Sequence, residues 1–311
     1  MFQSYFTLTG GISLSNKATV YSYGDYIAWL GRQDVIKAES FWQRYLQDWA
    51  GPVSLPIQRA YAGAHATDSE RKHLGKPLAE QRRPLSAKAT QKLKAFAQTH
   101  KITLNTVVQA ALGLVLSRYC DTSDVVFGAT CAGRPAELPG VLSMVGLFIN
   151  TLPVRVQIDR RATVVEWLQQ LSAQQAETTD YEYVSLRSLQ TLLNKCQSLF
   201  DTLLVFESYP VSTEAFSAQA NAKADFQLEN IRFNEWTHFP LTVLVSGEEQ
   251  ITFTAKYHAD KILSDTVGRF LGHLSNAIAT FVKRPMRKVS EVSLLCSVEK
   301  KQLADWNNTA T

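Results

Sequence analysis

Apolar residues recur at helical spacing in several separate stretches of this chain. Residues 26–48 predict two short helices with a break near Gly31 or Asp34. Ser86 and Thr103 stand where helix N-caps are expected, each just before an apolar periodic segment. The remaining predicted helices cover residues 86–100, 104–119, 162–179, 185–193 and 264–283.

Short apolar runs between glycine, proline and polar residues predict β-strands. They cover residues 125–130, 148–156, 202–207, 226–234, 241–246 and 250–257. The last two flank Gly247, which is typical of a hairpin turn, and residues 53–84 predict a loop with one or two edge strands. A polar tail is expected after residue 285. Helices before, between and after the strands favour an α/β sandwich: one mixed β-sheet with helices packed on one face.

Composition narrows the functional classes. The 311 residues are 45% hydrophobic and 19% charged, which is typical of a globular protein, and the net charge of +4 is too small to indicate nucleic acid binding. The N-terminus lacks the features of a signal peptide, and the most apolar window, residues 107–116, is too short to span a membrane. The four cysteines form no CxxC pair and the histidines are scattered, so we expect no disulfide framework and no metal site. A cytoplasmic location with reduced thiols is the expectation.

Five local patterns occur in a fixed order along the chain. They are YGDYIAW (residues 23–29), GATCAGRP (128–135), VGLFINTLPVR (145–155), DYEYVSL (180–186) and LFDTLLVFE (199–207). In this order and spacing the chain resembles the condensation domain of nonribosomal peptide synthetases. Residues 294–311 resemble the linker that leads into an adenylation domain.

The resemblance implies a fold of the chloramphenicol-acetyltransferase type, in which complete members have two lobes. Their catalytic motif, HHxxxDG, lies between the lobes and shortly before the pattern matched by residues 23–29, but no HHxxxD sequence occurs in these 311 residues. We therefore expect residues 1–22 to be a remnant of the first lobe's end. Residues 23–293 are then expected to form the C-terminal part of the domain, and residues 294–311 the linker.

The resemblance also implies an activity. Condensation domains make the amide bond between aminoacyl or peptidyl thioesters carried on the 4'-phosphopantetheine arms of carrier proteins, and they bind no further cofactor. The implied partners are carrier proteins, a downstream adenylation domain and the missing N-terminal lobe, without nucleic acid or membrane. This chain is expected to be inactive alone. The alternative is a non-catalytic, carrier-protein-binding remnant.

No catalytic residue is assigned, but six residues are candidates for supporting a substrate tunnel: Asp25, Gly133, Arg134, Gly146, Phe148 and Asn150. By resemblance, Arg134 orients the catalytic loop through the aspartate of HHxxxDG, or it caps carbonyls at the end of a strand. Asn150 either bonds a thioester or amide oxygen or ties two backbone segments together. Gly146 permits close approach of a backbone, which suits a channel for a pantetheine arm. Asp25 and Arg155 are interpreted as structural ion-pair partners.

Other polar residues are weaker candidates for a catalytic or binding role. No histidine is followed by aspartate four residues later, so a free-standing acyltransferase would have to use His238 or His258. A loose basic stretch is either a solvated loop or a surface for an acidic carrier protein or its pantetheine phosphate. Its members are Arg71, Lys72, Lys76, Arg82, Arg83 and Lys88.

Overall fold

The structure is a computed structural model that describes residues 21–52, 55, 78–193, 198–207 and 236–308. The chain divides into two compact units. Unit 1 comprises Met1–Gln33, Gly133–Ile149 and Ser208–Trp236, and unit 2 comprises Asp34–Ala132, Asn150–Glu207 and Thr237–Thr311. The predicted strand at residues 226–234 and the first part of the basic stretch lie outside the described residues.

In the residues that the structure describes, unit 2 is built on a six-stranded mixed sheet. Its strands are β1 (Leu78–Pro84), β2 (Asp124–Cys131), β3 (Asn150–Gln157), β4 (Thr202–Phe206), β5 (Leu241–Ser246) and β6 (Thr252–His258). Their order across the sheet is β1-β6-β5-β4-β2-β3. The pairs β2/β4 and β4/β5 are parallel, whereas β1/β6, β5/β6 and β2/β3 are antiparallel.

The described helices follow the predicted order. They are α1 (Tyr23–Leu30), α2 (Val35–Tyr45), α3 (Ala87–Thr99), α4 (Leu104–Tyr119), α5 (Val164–Thr179), α6 (Leu186–Leu192), α7 (Ser264–Lys283) and α8 (Ser297–Asn307). Side chains of Ser86 and Thr103 cap α3 and α4 as predicted. The predicted polar tail contains a helix that was not predicted, α8, which occupies 11 of its residues and buries none of them. Cys296 and Glu299 form a capping box at its start, with sulfur in place of the usual hydroxyl.

The long helices α3, α4, α5 and α7 share one core with one face of the sheet. Phe127 of β2, Val243 of β5 and Phe253 of β6 are buried in it, and α4 is buried along most of its length. A smaller core on the alternate residues holds Val126 of β2 and Trp42 of α2, together with α6. Successive residues of a strand face opposite sides, so one sequence run supplies both layers. Within the described residues, no helix is both long and apolar enough to cross a membrane.

Candidate functional site

Helix α1 of unit 1 begins with a capping box. The Oγ of Ser22 accepts a hydrogen bond from the backbone N of Gly24, and the backbone N of Ser22 donates to Asp25 Oδ2 at 3.0 Å. An ion pair was expected for Asp25, but its carboxylate closes a helix end instead, and no ion pair of Asp25 occurs among the described residues. The role is structural, although the partner differs from the prediction.

An aromatic cluster centred on Phe148 organises the described part of unit 1. The Phe148 ring lies 4.6 Å from the Tyr26 ring and 5.2 Å from the Tyr23 ring, and the Tyr23 hydroxyl donates to the carbonyl of Leu147 at 2.7 Å. Phe148 is buried together with Val141 and other apolar residues of the segment. Two of the motifs that are separated by over a hundred residues in sequence thus pack against each other.

Arg134 lies across the inside of the segment Gly133–Ile149. Its Nη1 donates to the carbonyl oxygens of Val141 and, at 3.2 Å, of Met144. Its guanidinium carbon lies 3.9 Å from the centre of the Phe148 ring, within the range of a cation–π interaction. Of the two roles left open by the sequence, carbonyl capping is the one present here. An interaction with a carboxylate of HHxxxDG stays a prediction.

Two glycines allow this segment to close. Gly133 has φ +60°, and a Cβ there would overlap the carbonyl oxygen of Phe148. A Cβ on Gly146 would overlap the ring of Tyr23. The close approach that Gly146 permits is therefore that of an aromatic side chain, and the sequence expectation of a pantetheine channel beside it gains no support from this contact.

The same segment exposes apolar side chains on its other side. Leu142 is 86% exposed, Val145 77%, Leu147 84% and Ile149 59%, while Phe148 is 3% exposed. We call these four exposed residues the apolar ridge. Four exposed apolar side chains within eight residues make this segment a candidate interaction surface.

Asn150 opens strand β3 in unit 2, and its amide is fully engaged. Its Nδ2 donates to the carbonyls of Glu182 and Val184 at 2.8 and 2.7 Å, and its Oδ1 accepts from the backbone N of Thr151. This is the backbone-tying role of the two that the sequence left open. Substrate binding by Asn150 stays a prediction.

The residue whose backbone carbonyl accepts from Asn150, Glu182, has a partly buried side chain. Burial raises the pKa of Glu182, and a hydrogen bond with the Cys131 thiol offsets this only in part. Cys131 lies at the carboxyl end of β2, so the pair marks the same sheet edge as Asn150. Sequence reasoning missed Glu182, because only burial distinguishes it from a surface glutamate.

Arg155 confirms its predicted ion pair. Its guanidinium bonds both oxygens of Asp124, the closest contact being 2.6 Å from Nη2 to Oδ2, and donates to the carbonyls of Tyr45 and Gln47. Tyr45 and Gln174 also bond the outer backbone of β3 at Arg155. They protect an edge strand that is otherwise open to pairing.

The described histidines offer no oriented general base. His238 is exposed and its ring lies 4.1 Å from that of Phe239. The Nε2 of His258 is buried and has no hydrogen-bond partner within the described part of the chain. Asp260, 3.9 Å from His258 Nδ1, lies in the turn after β6, as expected. Neither residue lines the two cavities described in this structure, and neither does Asn150.

His273 has a carboxylate within hydrogen-bond distance, but both of its ring nitrogens are engaged within the described part of the chain. Its Nδ1 lies 3.0 Å from the Tyr119 hydroxyl and its Nε2 lies 3.0 Å from Glu299 Oε1. Burial raises the pKa of Tyr119 to about 12, so its hydroxyl stays protonated at neutral pH. Both ring nitrogens are bonded within the protein, and the residue connects α4, α7 and α8. No sequence pattern indicated this role, since the partners are 154 and 26 residues away.

Known proteins resemble this chain over nearly its whole length. Residues 1–304 match the family model described as "Condensation domain". One of the linear gramicidin synthase proteins of Brevibacillus parabrevis is 36% identical over 312 residues, which is 99% of this chain and 4% of that protein. Bacitracin synthase 3 of Bacillus licheniformis is 31% identical over 290 residues, which is 92% of this chain and 4% of that protein. The chain thus spans only a small part of the length of these relatives.

Solved structures share the fold at low sequence identity. The first condensation domain of the calcium-dependent antibiotic synthetase, in complex with a substrate analogue, superposes with a TM-score of 0.67 at 15% identity, covering 94% of this chain and 61% of that one. The X-domain in complex with OxyB from teicoplanin biosynthesis gives a TM-score of 0.70 at 19% identity, covering 94% of this chain and 65% of that one. The predicted fold class, a chloramphenicol-acetyltransferase-like α/β fold, is confirmed.

Proposed function

This chain belongs to the condensation-domain family, and on that premise we propose that it takes part in making amide bonds in a nonribosomal peptide synthetase. The amine of an acceptor attacks the thioester carbon of a donor. A carbon–nitrogen bond forms, the carbon–sulfur bond breaks, the nitrogen loses a proton to a base, and the departing thiolate takes up a proton. The substrates reach the enzyme on the 4'-phosphopantetheine arms of carrier proteins, in the cytoplasm.

The family match over residues 1–304 is the observation that carries this proposal. The described side chains indicate which parts of the reaction this chain can support. Condensation needs two tethered reactants held in the right orientation and a base beside the amine. Unit 1 offers a segment held in one conformation by Arg134 and Phe148. Among the described histidines, none has both a carboxylate within hydrogen-bond distance of one ring nitrogen and a second nitrogen without a partner.

The role that we assign to the chain is that of the C-terminal portion of a condensation domain. It supplies structural support for the substrates, and the second histidine of an HHxxxDG segment supplies the base. The adenylation domain that loads a carrier protein is expected to follow it in the synthetase. The isolated chain is then inactive.

The test uses two loaded carrier proteins and mass spectrometry of the thioester products. The 311-residue chain is assayed alone and together with a separately produced HHxxxDG lobe from the linear gramicidin synthase relative. We expect the elongated thioester only with both pieces, and none when the second histidine of that lobe is replaced by alanine. Product from the chain alone, above the uncatalysed control, would contradict the assignment.

A second candidate is a non-catalytic binding module. It is favoured by the likeness to an X-domain whose solved structure is a complex with another protein, OxyB, and by the apolar ridge. The same assay separates the two functions. Carrier-protein binding by the chain, measured by calorimetry, without product in the presence of the complementary lobe would put the binding module first.

A further inference from the structure

A groove of about 480 Å³ runs along unit 2 between the edge strand β1 and helix α7. It lies in a different unit from the segment Gly133–Ile149. Most of the residues that line it are of polar type, and the ones that matter here are Gln81, Arg83, Gly268, Arg269, Gly272 and Glu299. The start of α8 closes one end.

Two glycines of α7 leave space in the groove, and the side chain of Gln81 fixes one of its walls. Gly268 and Gly272 are one helical turn apart on α7, and a Cβ on Gly272 would stand 3.7 Å from Arg83 Nη1. The Arg83 guanidinium therefore lies next to a position without a side chain. Gln81 Nε2 donates to the carbonyl and hydroxyl oxygens of Ser264 at 2.7 and 2.6 Å, which fixes β1 against the beginning of α7.

Two guanidinium groups line this groove without a carboxylate partner. In the described part of the chain, neither Arg83 nor Arg269 makes an ion pair or a side-chain hydrogen bond. Arg82, next to Arg83 on the same strand, differs because its Nε lies 2.6 Å from Glu80 Oε1. Arg82 does not line the groove.

In the described part of the chain, neither acidic residue of the lining forms an ion pair with Arg83 or Arg269. The carboxylate of Glu299 accepts from the backbone N of Cys296 at 2.7 Å and lies 3.0 Å from His273 Nε2. Asp265 lies one turn before Arg269 on α7, so its charge offsets part of the positive charge of the lining. The guanidinium groups of Arg83 and Arg269 thus keep N–H donors available to a ligand in the groove.

We propose that the groove binds a phosphate group between Arg83 and Arg269. A guanidinium presents paired N–H donors that match phosphate oxygens, and two of them that line one groove from different elements can neutralise a dianion. The glycine face of α7 leaves room for the rest of a phosphate ester. The phosphate comes either from a free phosphate compound or from the pantetheine arm of a carrier protein.

Isothermal titration of the full chain tests this, with inorganic pyrophosphate and pantetheine 4'-phosphate as separate probes. Sodium chloride keeps the ionic strength constant, so that general screening does not vary. We expect binding at one site, weakened about tenfold or more by Arg83→Gln or Arg269→Gln, which corresponds to about 1.4 kcal/mol or more. Arg82→Gln on the same strand is the matched control and should leave the affinity unchanged.

The relative affinities for the two probes distinguish the sources of the phosphate, and the variants test whether the site exists. Equal affinity for both probes supports a site for free phosphate compounds, whereas tighter binding of pantetheine 4'-phosphate supports the carrier-protein arm and rests on the proposed function. Gly272→Leu, which fills the groove without changing charge, should abolish either. No binding, or the same affinity in all four variants, overturns the site and leaves the condensation assignment untouched.

Discussion

At the residue scale, Arg134 stabilises the segment Gly133–Ile149 through contacts that helices and strands make with their backbone. A loop must satisfy its carbonyl groups without a ladder of backbone hydrogen bonds. One guanidinium does this for Val141 and Met144 while its flat face covers Phe148. Lysine carries the same charge but lacks the planar fork, so it cannot make all three contacts.

Replacing Arg134 with alanine should loosen the segment while the sheet stays intact. We expect faster amide hydrogen exchange in residues 140–149, with a loss of local stability of about 1–3 kcal/mol from the hydrogen bonds and the cation–π contact. Arg134→Lys should give an intermediate effect. Arg32→Ala, an exposed arginine of the same unit, is the control. Equal exchange in all three variants would mean that Arg134 does not hold the segment.

Glu182 should make the stability of the chain depend on pH. Its folded-state pKa is raised, chiefly by burial, so its favourable contribution is complete below the unfolded pKa of about 4.3 and is lost as the pH rises through the folded value. Glu182→Gln should therefore stabilise the chain at pH 7 and have little effect near pH 4. The bonds from Asn150 reach the backbone carbonyl of residue 182 and survive the substitution. Denaturant unfolding at both pH values, with the exposed Glu177→Gln as the control, measures this; a gain of the same size at both would rule out the ionised carboxylate as its cause.

At the element scale, helices could be predicted where residues close in sequence mark their ends. Ser86, Thr103 and the residue before Pro285 mark helix ends within a few residues of sequence, so α3, α4 and α7 were predicted almost to the residue. Helix α8 was missed because its cap is a cysteine and its residues carry no strong apolar stripe. The motif order predicted which segments carry the candidate site. The partners of Arg134 and Asn150 could not be predicted, because they depend on how loops close in three dimensions.

Helix α8 is held mainly through its first turn, since none of its residues is buried. Burial on its own would raise the pKa of Glu299, but the hydrogen bonds from Cys296 and the nearby His273 outweigh it and lower that pKa. The contribution of Glu299 is therefore present above the unfolded pKa of about 4.3 and is lost as the pH falls through the lower folded value. The attachment of α8 to the core is an electrostatic one.

Glu299→Ala should detach this helix without unfolding unit 2. It removes the carboxylate that accepts from the backbone of Cys296 and contacts His273, so we expect faster amide exchange in residues 297–307 and little change in β5 and β6. Glu291→Ala, which affects only an exposed contact with Arg287, is the control. Protection of residues 297–307 that stays at the level of the unchanged chain would show that other contacts hold α8.

At the scale of the whole molecule, the two units differ in how completely they bury their apolar side chains. Unit 2 buries both faces of its sheet, in one large core and one smaller one. The described part of unit 1 has a small core around Phe148, and the same short segment exposes the apolar ridge. Water contact with these four side chains costs free energy at about 25 cal/mol for each Å² of apolar surface, so covering them is favourable.

The apolar ridge should make the isolated chain self-associate. Light scattering across a concentration series should show a rise in average mass, because contact between ridges removes apolar surface from water. Replacing Leu142, Val145 and Leu147 with serine should restore a monomer while leaving Phe148 and its core in place. Ile36→Ser, an equally exposed apolar side chain on α2, should not. A chain that stays monomeric at high concentration would show that the apolar ridge does not drive association. The argument that a partner covers the ridge would then lose its basis.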